Sequence, residues 1–128
     1  MRPTIVLLSC VGDHPELVSR LRGAGTYLEA EFFDLLDRGR CQFGVNLSGC
    51  VLSDFEEDEL VEIAERLGEF RATLIEYADV ACVRELLADV LPGIRGILDT
   101  NYGELLDYHC VLERFQRDPS WDWRRQSR

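Results

Sequence analysis

Short runs of β-forming residues alternate with segments of helical periodicity, and this alternation most restricts what the chain can fold into. The runs cover residues 4–10, 72–77 and 96–99. A continuous apolar run such as 4–10 is typical of a strand that is buried on both faces. Because a helical segment separates the second run from the third, residues 72–99 predict a β-α-β unit, with a right-handed crossover if its strands are parallel neighbours.

Capping residues and apolar spacing predict about five helices. They cover residues 13–22, 26–38, 53–68, 79–91 and 107–118. The second helix rests on four apolar residues that have the spacing of one helix face. These are Leu28, Phe32, Leu35 and Leu36. Residues 41–51 alternate poorly and are predicted to form a loop, which could include a short edge strand.

These elements predict an α/β fold, with α+β as the alternative. We expect a mixed sheet of three to five strands covered by about five helices. At 128 residues the chain has the usual length of one domain, so residues 1–128 are expected to form a single domain with an irregular tail at 119–128. No apolar stretch reaches the roughly 18 residues that a membrane span needs. The protein is therefore expected to be cytoplasmic.

The five cysteines predict neither a disulfide framework nor a metal site. Their odd number and irregular spacing are unlike a set of paired half-cystines. The chain also has no CxxC pair of the kind that holds structural zinc. We therefore expect buried, reduced thiols in a reducing cytosol. No cofactor is expected either.

The net charge of −10 argues against two classes of partner. Phosphate contact with nucleic acid requires a basic surface. An anionic membrane would repel an acidic chain. We therefore expect no nucleic-acid partner and no membrane partner.

The acidic charge is concentrated on the predicted helix 53–68, which begins with a capping box of Ser53 and Glu56. Residues 53–69 contain eight acidic residues and one arginine, which contribute −7 of the net −10. Four of the acids share one helix face opposite the apolar stripe. These are Asp58, Glu62, Glu65 and Glu69. The pattern indicates either a solvated face that keeps the protein soluble or a landing surface for a basic partner.

The C-terminal tail places Trp121 and Trp123 on either side of Asp122. Tryptophans in such a segment commonly attach the terminus to the body of a domain. If exposed, they would be anchors of an interface, because tryptophan is enriched among the residues that contribute most to binding. We include both among the expected partner-binding residues.

No catalytic site is predicted. Residues 99–103 have the composition of a tight turn, although Asp99 at a strand end could bind a metal or act as a base together with Glu76. His109 and two of the cysteines have reactive side chains, but no partner is evident for them. The chain contains no phosphate-binding glycine motif, no nucleophile elbow and no HExxH zinc motif.

Three segments near the C-terminus resemble a known class of proteins. They are Ile-Leu-Asp at 97–99, Asn-Tyr-Gly-Glu-Leu at 101–105 and Phe-Gln-Arg-Asp-Pro-Ser-Trp-Asp-Trp at 115–123. Together they resemble the C-terminal half of small uncharacterised bacterial proteins, some of which are similar to immunity proteins of polymorphic toxin systems. The resemblance implies a small acidic cytoplasmic protein that binds and neutralises a cognate toxin. A toxin that attacks nucleic acid is often basic, which would suit the acidic helix.

We therefore expect an interaction protein of the immunity type rather than an enzyme. It would occlude the basic active-site cleft of a toxin-like partner, with the four acids steering association and apolar or aromatic residues supplying the strongest contacts. One alternative is a small hydrolase that uses Asp99, Glu76 or His109, and another is a structural subunit with no catalytic role. Convergence of those three side chains on one cavity would favour the hydrolase.

Overall fold

Seven strands form one sheet in this computed structural model, which describes residues 2–125. The strands are β1 (Thr4–Cys10), β2 (Thr26–Leu28), β3 (Asp34–Arg38), β4 (Cys41–Asn46), β5 (Phe70–Glu76), β6 (Gly96–Asp99) and β7 (Leu105–Asp107). The helices are α1 (His14–Arg22), α2 (Glu57–Leu67), α3 (Val80–Val90) and α4 (Tyr108–Arg117), with a short 3-10 helix at Cys50–Asp54. The strand order is β2-β3-β4-β5-β1-β6-β7.

Strand β1 lies inside the sheet, between β5 and β6. All neighbouring strands are antiparallel, so β5 and β6 run in the same direction but are separated by β1. The expected mixed sheet of three to five strands is therefore wrong in strand direction and in strand number, and the architecture is α+β. The β5-α3-β6 unit passes over β1 instead of joining adjacent strands. Apolar patterns along single strands do not distinguish these two arrangements.

Helices cover the two faces of the sheet unequally. Along β1, Ile5 and Leu7 point into a core shared with α1, α3 and α4, whereas Val6 and Leu8 point to the opposite face. This alternation follows from the two-residue period of a strand. The second face is covered by α2 and the 3-10 helix. As a result, α2 and the 3-10 helix form the second layer on the sheet, and the outer side of α2 faces solvent.

The predicted helix at 26–38 is wrong, because the structure forms the β2–β3 hairpin there. Of the four apolar residues with helical spacing, only Leu36 is buried, and Phe32 in the loop is 78% exposed. Asp34 helps to close the hairpin, since its carboxylate accepts a hydrogen bond from the Tyr27 hydroxyl at 2.6 Å. The apolar spacing belongs to two strands and their loop, and it matches a helix face only by coincidence.

Strand β4 lies inside the sheet, between β3 and β5, where a loop was expected at 41–51. Its residues Phe43 and Val45 are buried in the core beneath the three helices. The turn before it depends on Gly39, whose φ of 83° lies in the left-handed region that other residues avoid. The Asp37 carboxylate accepts a hydrogen bond from the Gly39 amide at 2.9 Å. Gly39, which directly follows the predicted helix 26–38, therefore belongs to a turn between two strands.

A disulfide joins Cys41 at the start of β4 to Cys82 in the first turn of α3. The expectation of reduced thiols is wrong for this pair. An odd number of cysteines argues against complete pairing but does not exclude a single disulfide. Cys10 is half-buried and unpaired, and Cys50 and Cys110 are exposed and unpaired. The disulfide links the first residue of β4 to the helical layer formed by α1, α3 and α4.

Reduction of this disulfide is expected to lower the free energy of unfolding by about 2–4 kcal/mol, because the link restricts the unfolded chain. The two cysteines are 41 residues apart in sequence. The measurement is urea unfolding with and without a phosphine reductant. The Cys41→Ala/Cys82→Ala variant should lose a similar amount and should not respond further to the reductant, whereas Cys50→Ala should behave like the parent. Equal responses of the double variant and the parent would contradict the assignment.

The C-terminal segment is irregular, as expected, through residue 125. Residues 126–128 of the predicted tail lie outside the described residues. After α4 the chain turns at Asp118, whose carboxylate accepts hydrogen bonds from the Ser120 amide at 3.2 Å and hydroxyl at 2.9 Å. This turn directs Trp121 and Trp123 back onto the core.

Candidate functional site

The acidic helix α2 begins later than predicted. Its capping box is formed by Glu56 and Glu59, with the Glu56 amide donating to the Glu59 carboxylate at 2.9 Å, and Ser53 takes no part in it. The preceding Phe55 is extended and half-buried against the sheet, which separates the 3-10 helix from α2. Gly68 ends the helix with a φ of 73°, as predicted.

The four acids of the predicted stripe face solvent. Asp58, Glu62, Glu65 and Glu69 are all exposed. They are exposed because the opposite side of α2 is buried against the sheet. Glu69 follows the end of the helix, so the helical period places only Asp58, Glu62 and Glu65 on one face.

Most of the charge on this stripe is not neutralised by the protein itself. Glu62 lies 3.5 Å from Arg66, which also pairs with Asp107 at 2.9 Å. Within residues 2–125, the other three carboxylates of the stripe have no arginine or histidine nitrogen within 4.0 Å. A positively charged partner would therefore find them without a counter-ion.

An exposed apolar side chain lies beside the stripe. Val61 is 53% exposed. The helical period places it one turn away from three carboxylates, those of Glu57, Asp58 and Glu65. Sequence reasoning missed this residue, although its offset from the buried Ile63 gives the signal. An apolar group with a charged rim has the form of an interface centre. We name this set of side chains the acidic surface: Glu57, Asp58, Val61, Glu62, Glu65 and Glu69.

Trp121 and Trp123 lie inside the protein. Their exposed fractions are 6% and 1%. The indole N–H of Trp123 donates to the Tyr77 hydroxyl at 3.0 Å, and both indole rings pack on Phe115 of α4. The expectation that the two tryptophans bind a partner is therefore wrong. They attach the C-terminal segment to the core, which is the other role that their sequence context suggests.

The three side chains of the hydrolase alternative lie in different surface depressions. Asp99 lines one of about 270 Å³, Glu76 lines a second and His109 lines a third. Asp99 belongs to the tight turn predicted at this point, since its carboxylate accepts a hydrogen bond from the Asn101 amide at 2.8 Å. Burial raises the pKa of Asp99, repulsion from Glu59 adds to the increase, and the Asn101 hydrogen bond opposes it. The convergence that would favour a hydrolase is not observed within residues 2–125.

His109 does, however, meet other reactive groups. Its Nε2 lies 3.6 Å from Cys110 Sγ. A carboxylate oxygen of Asp107 joins them, and the three ligand atoms all lie within 4.8 Å of one another. A cleft of about 480 Å³ opens beside them and is also lined by Arg66 and Arg95. No metal site is expected from the sequence, because these three residues are of three different types and include no CxxC pair.

Within residues 2–125, no helix has the length and apolar composition that crossing a membrane requires. Comparison with family models, with curated proteins and with solved structures finds no match to this chain.

Proposed function

We propose that this chain is an acidic interaction protein that binds a basic protein partner through the acidic surface of α2. The observation that carries the proposal is the exposed Val61 beside carboxylates without a counter-ion. Like charges at i, i+4 spacing destabilise a helix by roughly 0.2–0.5 kcal/mol per pair. A positively charged partner would relieve this repulsion on binding.

Electrostatic steering is the main contribution that we expect from the carboxylates. Residues 53–69 hold −7 of the net charge of −10, so the field is strongest on one side of the molecule. Steering of this kind raises association rates by about 10-fold to 1,000-fold and is weakened by salt. Val61 would supply an apolar contact that excludes water and slows dissociation.

The narrower form of the proposal is an immunity protein. Its basic partner would be a toxin whose active-site cleft is covered by α2, in line with the family that the segments 97–99, 101–105 and 115–123 resemble. The outer side of α2 faces solvent and carries the exposed carboxylates, so a partner can reach it. The partner would then arrest growth when expressed alone and would be harmless when expressed together with this chain.

We place this function in the cytoplasm. Cys50 and Cys110 are exposed and unpaired, and exposed thiols persist best in a reducing compartment. In the cytoplasm the Cys41–Cys82 disulfide would be subject to reduction, because cytosolic reductants keep most thiols reduced. Its opening would act on the face of the sheet opposite to the acidic surface.

The test of the proposal compares two variants of equal net charge. The surface variant neutralises three acids of the acidic surface and keeps Glu62, so that its contact with Arg66 is preserved. Its substitutions are Asp58→Asn, Glu65→Gln and Glu69→Gln. The control variant neutralises three exposed acids outside α2, by Glu31→Gln, Glu85→Gln and Glu113→Gln. The parent captures its partner from an extract of the native host, and association rates of all three proteins are then measured at several salt concentrations.

We expect the surface variant to associate about tenfold more slowly than the parent at low ionic strength, with a weaker dependence on salt. The control variant should stay within about threefold of the parent, because its charges lie away from the contact. Equal rates for the two variants would mean that net charge and not the acidic surface governs binding. An acidic partner, or a surface variant that binds like the parent, would also contradict the proposal.

A further inference from the structure

Three different metal-ligating atoms converge at the junction of β7 and α4. They are a carboxylate oxygen of Asp107, an imidazole nitrogen of His109 and the sulfur of Cys110, each within 4.8 Å of the others. Asp107 is the last residue of β7 and directly precedes α4. The other two residues lie in the first turn of α4 and are exposed. One short, continuous segment therefore presents all three groups to the same point.

The spacing of the sulfur and nitrogen atoms matches the coordination shell of zinc. Zn–S and Zn–N bonds of about 2.3 and 2.0–2.1 Å place the two ligand atoms about 3.6 Å apart at a tetrahedral angle. Cys110 Sγ and His109 Nε2 are separated by 3.6 Å. The Asp107 carboxylate oxygen lies within 4.8 Å of both atoms. Zinc also accepts all three types of ligand, which hard cations such as Mg²⁺ do not.

The neighbouring groups orient the carboxylate and leave room for a fourth ligand. Arg66 donates to Asp107 Oδ1 at 2.9 Å, which fixes the carboxylate and leaves its second oxygen for an ion. The cleft of about 480 Å³ adjoins the three ligands and contains Arg66 and Arg95. Three protein ligands beside an open cleft are typical of a zinc ion with one exchangeable position. The two guanidinium groups favour an anion, such as hydroxide or phosphate, in that position.

We propose that Asp107, His109 and Cys110 form a three-ligand zinc site at the mouth of this cleft. The site shares no ligand with the acidic surface, to which Arg66 links it through Glu62, and it does not depend on the proposed function of that surface. Sulfur and nitrogen ligands select Zn²⁺ and Co²⁺, whereas the carboxylates of α2 offer only oxygen. The ligand types therefore predict which ion binds as well as where it binds.

The experiment titrates Zn²⁺, and separately Co²⁺, into the full chain. The protein is purified without air and without reductant, so that the thiol ligand stays reduced and the Cys41–Cys82 disulfide stays closed. The ligand variants are Cys110→Ser and His109→Gln, which change exposed side chains. The controls are Cys50→Ser, which removes another exposed thiol, and the surface variant of α2. Mg²⁺ is the control ion.

We expect one Zn²⁺ per chain, with an affinity that falls about 100-fold or more in each ligand variant and is unchanged in both controls. Bound Co²⁺ should show the charge-transfer absorption of a cobalt–thiolate bond, which Cys110→Ser abolishes and Cys50→Ser preserves. Zinc affinity that survives the loss of either ligand would overturn the proposal. Equal affinity for Mg²⁺, or loss of zinc binding in the surface variant, would also overturn it, because the metal would then belong to the carboxylates of α2.

Discussion

Replacing Gly96 with alanine is expected to destabilise the protein by about 3 kcal/mol or more, because the added methyl group has no space. A Cβ at this position would lie 2.3 Å from Tyr108 Cε2 and 2.4 Å from the Leu8 carbonyl oxygen. The Tyr108 ring is buried, and its hydroxyl is hydrogen-bonded to Ser9 Oγ at 2.8 Å. The carbonyl belongs to β1, which is paired on both sides, so neither neighbour can move without breaking contacts elsewhere.

Urea unfolding followed by circular dichroism measures this effect as a lower midpoint of unfolding. Gly12→Ala is the matched control, since no heavy atom lies within 4 Å of a Cβ built there. Its stability should stay within about 0.5 kcal/mol of the parent. If Gly96→Ala were as stable as Gly12→Ala, the packing of the tyrosine ring on β6 would be wrong.

Replacing Trp123 with alanine is expected to lower the free energy of unfolding by about 3–5 kcal/mol. The substitution leaves a large cavity, because the side chain is 1% exposed. It also removes the hydrogen bond to the Tyr77 hydroxyl and the edge-to-face contacts with Tyr77 and Trp121. Trp123→Phe should fall between alanine and the parent, since it keeps an aromatic ring but loses the N–H donor.

The control for this second prediction is Phe32→Ala, which truncates an aromatic residue that is 78% exposed. It should change stability by less than about 0.5 kcal/mol. Similar losses in Phe32→Ala and Trp123→Ala would contradict the burial of the C-terminal segment. Partner binding by a Trp123 variant should be compared at equal folded fraction, because the residue supports the fold and does not reach the surface.

Local patterns predict those elements whose burial is decided by their own residues. β1 is a continuous apolar run, and α3 has an apolar stripe and a cap at Asp79, whose carboxylate accepts the Cys82 amide at 2.8 Å. Strand direction is not local, because the partners of β1 begin only at Phe70 and Gly96. The failure at residues 26–38 has a related cause, since a hairpin and a helix can share the same apolar spacing.

The candidate site divides in the same way. The acidic stripe follows from the helical period alone, so sequence reasoning locates Glu65 and its neighbours on one solvent-facing side. The burial of Trp123 depends on Tyr77, 46 residues earlier in the chain. The convergence of His109 and Cys110 depends on side-chain conformations at a helix start. Residue spacing does not determine those conformations, even for adjacent residues.

Because β1 pairs with β5 and β6, its pairing cannot be completed until residue 99 has been synthesised. Protein synthesis proceeds at about 5–20 residues per second, so residues 4–10 are synthesised roughly 4–20 s before β6. During that interval one of the most apolar segments of the chain has at least one unpaired edge. The nascent protein therefore has a long period of exposure to aggregation, in which ribosome-associated chaperones would find β1 accessible.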